Sequence, residues 1–197
     1  MDTLTLRKQV RQQRRALSVD DQAHAAQHLF DQLHSLDDIH PAQHIALYLQ
    51  HDGEINPAVF ALWAQAQNKQ CYLPVLADEA EQPMHFAPYA SNTEFKPNLF
   101  NIPEPVADIE DCLNAEQLDL ILMPLVAFDL HGNRVGMGGG FYDRSLAFKR
   151  QAPYHQRPLL IGLAHEFQRI DTLEAQPWDV PLDGIATEQR AMLFQRK

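Results

Sequence analysis

Apolar and polar positions along this chain repeat in two periods, and the changes from one to the other mark its elements. Leu4 to Leu17 (LTLRKQVRQQRRAL) places Leu6, Val10 and Leu17 on one side of a helix, with Arg7, Lys8, Arg11, Arg14 and Arg15 around the rest. Ser18, with Asp21 three residues on, forms a capping box that opens a second helix through about Leu36. Ile45–Leu49 (IALYL) is a buried strand running into the turn Gln50–Glu54, and Pro57 opens a helix through Gln67. Cys71–Leu76 (CYLPVL) is the next strand, and its Pro74 marks a strand end or an irregular edge. A polar loop over Asp78–Pro83 leads to a short strand, His85–Tyr89. Residues 90–117, rich in Pro, Asn and acid, read as a long surface connection.

The longest apolar run, Leu118–Phe128 (LDLILMPLVAF), reads as one buried central strand, and Tyr142–Lys149 has helical spacing. Leu159–Ala164 (LLIGLA) is another buried strand, and an acidic turn over Trp178–Asp183 precedes a last strand around Gly184–Thr187. This alternation predicts an α/β sandwich on a largely parallel sheet.

Composition narrows the class. A chain of 197 residues with 45% apolar and 21% charged residues has material for one full core, so a single domain over 1–197 is expected. Sixteen basic residues against 26 acidic ones leave a net charge of −10, which argues against a nucleic-acid binder. Cys71 and Cys112 are far apart and lack metal-ligand spacing, which favours a reducing, cytoplasmic setting. No apolar leader and no membrane-length apolar run is visible, so neither secretion nor membrane association is expected.

Candidate chemistry centres on Asp129–Arg144 (DLHGNRVGMGGGFYDR), where Gly136, Gly138, Gly139 and Gly140 are four of the eight glycines. Strand, glycine loop and helix together present free N–H groups and a positive helix end to an anion. Neither the Walker pattern nor the dinucleotide fingerprint fits, so a phosphate loop and a tight structural turn both stay open. Asp143 closes the stretch as a carboxylate suited to a magnesium ion on phosphates, and Asp179 and Asp183 either join it or, as turn aspartates more commonly do, bond the backbone. The basic helix is either a solvated face or a surface for polyphosphate or an acidic tail. Glu54, beyond the end of a strand, is placed for ligand contact or is an exposed turn residue. His24, His28 and His34 read as surface residues, since no third ligand accompanies them.

Taken in order, these pieces resemble the 5-formyltetrahydrofolate cyclo-ligase family, also called methenyltetrahydrofolate synthetases. The likeness spans nearly the whole chain. It includes the basic helix ending Arg15-Ala16-Leu17-Ser18, Tyr48-Leu49 through Glu54-Ile55, Tyr72-Leu73-Pro74 and Asn101-Ile102-Pro103-Glu104-Pro105. It continues through Asp119–Pro124, Phe128-Asp129, Gly132, Arg134, the stretch Gly136–Arg144 and Trp178-Asp179-Val180-Pro181.

The resemblance implies a three-layer α/β/α fold shared with sugar-phosphate isomerases and CoA transferases. It also implies ATP-dependent closure of 5-formyltetrahydrofolate to 5,10-methenyltetrahydrofolate, with release of ADP and phosphate. By position it assigns ATP to Thr3, Arg7 and Arg134, Val135, Gly136, Met137, Gly138, Gly139, Gly140, Phe141 and Tyr142. Folate falls to Leu49, Glu54 and Met137–Phe141, and Mg2+ to Asp143 and Asp179. Arg134 and Tyr142 are the candidate catalytic groups, with small-molecule partners only and a monomer expected. Many members carry a basic residue within the glycine loop and a lysine at the first helix, where this chain has Met137, Gly139 and Thr3. Arg7, Lys8, Arg11, Arg134 or Arg144 must then supply the missing charge. A non-catalytic folate- or nucleotide-binding protein is the alternative that this departure keeps open. A sugar-phosphate isomerase on the same architecture stands well behind.

Overall fold

The computed structural model describes residues 2–76, 82–151 and 157–194. Residues 78–81 of the polar loop expected over Asp78–Pro83 lie outside them. The basic helix forms as α1 (Thr3–Ala16), capped by Asp2, whose carboxylate accepts from the Thr5 N–H at 2.9 Å. Its inward face carries Leu6 and Val10, as the spacing predicts, and then Arg14 in place of a third apolar residue. Helix α2 (Val19–His34) opens on the predicted reciprocal Ser18–Asp21 box. His24, His28 and His34 are exposed on it.

Strand β1 (His44–Ala46) leads through Leu47–Glu54 to α3 (Ala58–Ala66), whose N-cap is Pro57. Then come β2 (Gln70–Val75) and the antiparallel edge strand β3 (His85–Pro88). Pro74 lies beyond Tyr72, the last β2 residue in register with β1, so its missing N–H removes no bond to that neighbour. Within 90–117 the expected surface connection contains a small hairpin, β4 (Phe95–Pro97) exposed and β5 (Pro103–Pro105) with Glu104 and Pro105 buried.

The run Leu118–Phe128 is not one strand. It divides into β6 (Leu120–Pro124) in the main sheet and β7 (Ala127–Phe128), which leaves that sheet to pair with β8 (Arg134–Val135). Both halves are buried, β6 within the sheet and Val126–Ala127 beneath Leu6 and Val10 of α1, so the apolar pattern shows no break. The helix after the glycines is shorter than its spacing suggests: α4 (Phe141–Ser145) gives way to a 3₁₀ turn at Ala147–Arg150. Last come β9 (Leu159–Leu163), β10 (Gly184–Ala186) and an unpredicted antiparallel strand, β11 (Ala191–Leu193).

The seven-stranded sheet runs β11-β10-β9-β6-β1-β2-β3, parallel from β10 through β2. Alternate residues serve its two faces. Ile45, Leu120, Leu122, Ile161 and Leu163 pack under α2 and α3 through Leu29, Leu33, Phe60 and Ala64. Ala46, Ile121, Met123, Leu160 and Ile185 face Phe128, Leu146, Val180 and Leu182 on the other side. The buried Lys149 ammonium and Asp183 carboxylate pair at 3.1 Å beneath that second layer. From β1 the chain moves outward to β2 and later returns to β6 on the opposite flank, so the sheet reverses between β1 and β6. Crevices for ligands form beyond the carboxyl ends of strands at such a reversal.

One turn in that crevice fixes α1. Asp52 and Gly53 both adopt left-handed backbone, with φ of 52° and 71°. A Cβ on Gly53 would come within 2.8 Å of the Arg14 backbone. Gly53→Ala should therefore cost at least about 2 kcal/mol, combining backbone strain with steric overlap. Urea unfolding should show a lowered midpoint with little change in slope.

Candidate active site

The Asp52 carboxylate draws in most of the basic helix. Arg11 Nε meets it at 2.5 Å, Arg14 Nη2 at 3.3 Å, and Arg15 Nε bonds its other oxygen. Burial alone would raise the Asp52 pKa, but the hydrogen bonds and charges of Arg11 and Arg15 win and hold it below the usual range. Three of the helix's five cations thus serve an aspartate of this same chain, which neither sequence reading of that face anticipated.

Arg7 works at the other end of the helix. Its Nε donates to the Gly136 carbonyl at 2.8 Å, and its guanidinium lies 3.4 Å from where a Gly138 Cβ would stand. A cation thus reaches the glycine loop from outside, beside Met137 and Gly139, which lack one. Thr3 is exposed one helical turn before Arg7, on the same side.

The loop itself is held from below. Asp129, fully buried, accepts the His131 and Asn133 N–H groups on Oδ1 at 2.9 and 3.0 Å. Its Oδ2 accepts Asn133 Nδ2 at 2.8 Å and the Leu173 N–H at 2.9 Å. This pins the β7–β8 hairpin and directs Arg134 and Val135 toward the loop. Beyond them Gly138 (φ 101°) and Gly140 (φ 66°) turn the exposed backbone, and the N–H groups of Met137 to Gly140 have no partner among the described residues. Free amides of this kind suit an anion. The five-residue α4 adds little helix dipole, so the loop amides and arginines carry the positive end.

Arg134 is largely buried and already engaged. Its Nη2 meets Asp143 Oδ1 at 2.6 Å, and its Nη1 donates to the Val180 carbonyl. Asp143 Oδ1 also accepts the Val180 N–H at 3.1 Å, while Oδ2 has no partner among the described residues. Asp179 caps the Gln176 N–H at 2.8 Å, and Asp183 is committed to Lys149 and to the Leu160 N–H. Among the described residues no three His, Cys, Asp or Glu side chains gather as a metal site. One or two carboxylates do suit a magnesium ion that arrives on phosphates and keeps most of its waters. Asp143 Oδ2 is open to such an ion, whereas Asp179 is turned to the Gln176 N–H. An open cavity of about 460 Å³ beside Asp143 is lined by Gly140, Arg144, Arg150 and Trp178. Arg144 reaches the Gly139 carbonyl at 2.8 Å and lies over the Phe141 ring.

Across the crevice stands Glu54, on the loop after β1. Burial dominates its ionisation and lifts its pKa from 4.5 to about 7, with the Arg14 charge opposing and Asp52 adding slightly to the rise. Tyr142 is pushed up by burial and then by the Glu54 charge, which places the phenol near that carboxylate. The Tyr48 hydroxyl, buried beside them, donates to the Ile55 carbonyl at 2.6 Å. His165 Nε2 lies 3.3 Å from the Gly53 carbonyl, and burial pushes the pKa of that imidazole below its ordinary value. Leu49 borders the same loop, half-buried against the core under α2 and α3.

Asp52, Arg14 and His165 were missed as site residues. Arg14 had a signal: it lies four residues after Val10, so a cation falls on the apolar stripe.

A largely parallel α/β sheet with an anion-ready loop and a buried carboxylate at its reversal defines a nucleotide- or cofactor-binding α/β enzyme scaffold. Comparison with known proteins narrows this. The profile of the 5-formyltetrahydrofolate cyclo-ligase family matches residues 2–188. The 5-formyltetrahydrofolate cyclo-ligase of Escherichia coli K12 is 36% identical over 183 residues, covering 92% of this chain and 97% of that protein. The Haemophilus influenzae protein of the same name is 37% identical over 180 residues, covering 91% and 94%. The solved 5,10-methenyltetrahydrofolate synthetase of Aquifex aeolicus superposes with a TM-score of 0.80 at 28% identity, covering all of this chain and 95% of that one. That of Mycoplasma pneumoniae gives 0.73 at 28%, covering 95% and 99%. The chain belongs to the 5-formyltetrahydrofolate cyclo-ligase family.

Glu54 also makes a stability prediction. A carboxyl whose pKa is higher folded than unfolded binds the extra proton only in the native state. Its contribution is complete below about pH 4.5 and declines as pH rises to about 7. The decline is of the order of 3 kcal/mol. Glu54→Gln should flatten the pH dependence of the urea-unfolding free energy across that window, and an unchanged slope would contradict the assignment.

Proposed function

We propose that this protein catalyses ATP-dependent cyclisation of 5-formyltetrahydrofolate to 5,10-methenyltetrahydrofolate, releasing ADP and phosphate. The observation that carries the reading is α1 itself. Through Arg7 it touches the glycine loop, and through Arg14 it lies beside Glu54, so one helix brings an anion site and a pterin-type carboxylate to one crevice. Family membership supplies the reaction class.

A formamide oxygen is a poor leaving group, and the residues suit its activation. The formyl oxygen attacks the γ-phosphorus of ATP, the bond to the ADP oxygen breaks, and the formyl oxygen carries the phosphoryl group. The second folate nitrogen then bonds to the formyl carbon and loses its proton. Phosphate leaves with the former formyl oxygen. The protein's part in such a transfer is mainly alignment and charge neutralisation. Loop amides from Gly136 to Gly140, with Val135 leading in, cradle the phosphates, and Arg7 and Arg134 face them. Thr3 borders this nucleotide side, and Tyr142 either bonds the transferring group or packs on the nucleotide. Glu54 accepts the donor edge of the pterin, with Leu49 and Met137 to Phe141 beside the ring. Asp143 and Asp179 hold Mg2+, whose chemistry is to neutralise charge on the phosphates.

The fold reads as a three-layer α/β/α arrangement akin to sugar-phosphate isomerases and CoA transferases, since α2 and α3 cover one sheet face and shorter elements the other. We further infer one domain over residues 1–197, a monomer, and a cytoplasmic setting with no nucleic-acid or membrane partner. The acidic charge argues against a nucleic-acid partner, and among the described residues no helix is long and apolar enough to cross a membrane. Arg7 over Gly138 weakens the case for a non-catalytic binder, because it restores a cation to the loop.

Purified protein should form methenyltetrahydrofolate, followed by absorbance, only when ATP and 5-formyltetrahydrofolate are both present. Folate and nucleotide binding without product would favour the non-catalytic alternative. Arg134→Ala should lower kcat/KM for ATP by about a hundredfold. Unchanged kinetics would remove Arg134 from the site.

A further inference from the structure

Arg14 is the only fully buried arginine among the described residues, and two of its nitrogens, Nε and Nη1, have no hydrogen-bond partner. Such a group is costly to bury, so its placement asks for a reason. Asp52 is not sufficient, because Arg11 and Arg15 hold that carboxylate more closely than Arg14 does. The nearest other charge is Glu54, whose Oε1 lies 3.8 Å from Nη1. That spacing is too long for a hydrogen bond, yet Coulomb attraction across it is strong away from water.

We propose that Arg14 is a positioning residue for substrate binding: from within α1 its charge favours the anionic form of Glu54 against burial, and by standing off at 3.8 Å it leaves Oε1 for the donor edge of the bound pterin. This rests on the cyclo-ligase reading above. Among the other described groups around Glu54, the His51 N–H adds a smaller push toward the anion than Arg14 does. Asp52, on the same loop, opposes ionisation, while Tyr48 and Tyr142 from the end of β1 and from α4 are neutral phenols. The His51 N–H, at 3.2 Å from Oε2, is the only donor to the carboxylate among the described residues. His165 contacts the Gly53 carbonyl at 3.3 Å, and burial lowers its pKa, which disfavours its cationic form. A direct Arg14–Glu54 hydrogen bond would also ionise Glu54, but it would occupy the oxygen that must read the ligand.

The test titrates the Glu54 carboxyl by carbon-13 NMR in the full chain, assigned by its loss in Glu54→Gln. Arg14→Met should move the midpoint up by roughly one pH unit, whereas Arg14→Lys should leave it within a few tenths. At neutral pH, Arg14→Met should raise KM for 5-formyltetrahydrofolate roughly tenfold and leave KM for ATP within about twofold. Arg14→Gln replaces Arg14→Met if the thioether variant does not fold. An unmoved midpoint in the neutral variant, or equal losses for both substrates, would overturn the proposal. The titration needs no turnover, so failure of the functional reading has its own signature: wild-type protein with the expected titration and no ATP-dependent product.

Discussion

The clasp of Arg11, Arg14 and Arg15 around Asp52 is the contact on which the site depends. Without it α1 would be held mainly by Leu6 and Val10, an apolar stripe of two residues against Val126 and Ala127. The clasp sets the helix's rotation and height, because three side chains must converge on one carboxylate while Gly53 lies against the Arg14 backbone. Arg7 then falls at the glycine loop, two turns and about 10 Å along the axis from Arg14. Asp129 supplies the matching constraint from the other side by tying the β7–β8 hairpin to Leu173.

The electrostatics follow from this geometry. A chain with net charge −10 gathers five cations within residues 7–15 and spends three of them on its own aspartate. What remains positive is narrow: Arg7 at Gly138, with Arg144 and Arg150 lining the adjoining cavity. Desolvation dominates on the opposite wall, lifting both Glu54 and Tyr142. One crevice therefore offers an anion-attracting side and a desolvated side on which Glu54 alone of the two titrates near neutrality, the Tyr142 phenol staying protonated.

The sequence showed the outline of this fold and part of its site. Capping at Ser18, the apolar runs of β1, β2, β6 and β9, and the glycine loop were visible because local chemistry specifies them. The division of Leu118–Phe128 was not, since both halves are buried and apolar residues look alike in a sheet and under a helix. The β4, β5 and β11 strands are three residues each, too short for an alternation to be read. Glu54 and the loop were found by position and resemblance. The roles of Asp52 and Arg14 were hidden because they arise from partners 37 to 41 residues apart and from a left-handed turn that an Asp-Gly pair permits but does not announce.

The Arg7–Gly136 contact closes a span of 129 residues. During synthesis the first helix leaves the ribosome long before its glycine-loop partner exists. Non-local contacts of this reach form late in folding. The crevice should consequently be among the last features to mature on a nascent chain, which makes ligand-binding competence a marker of completed assembly rather than of early collapse.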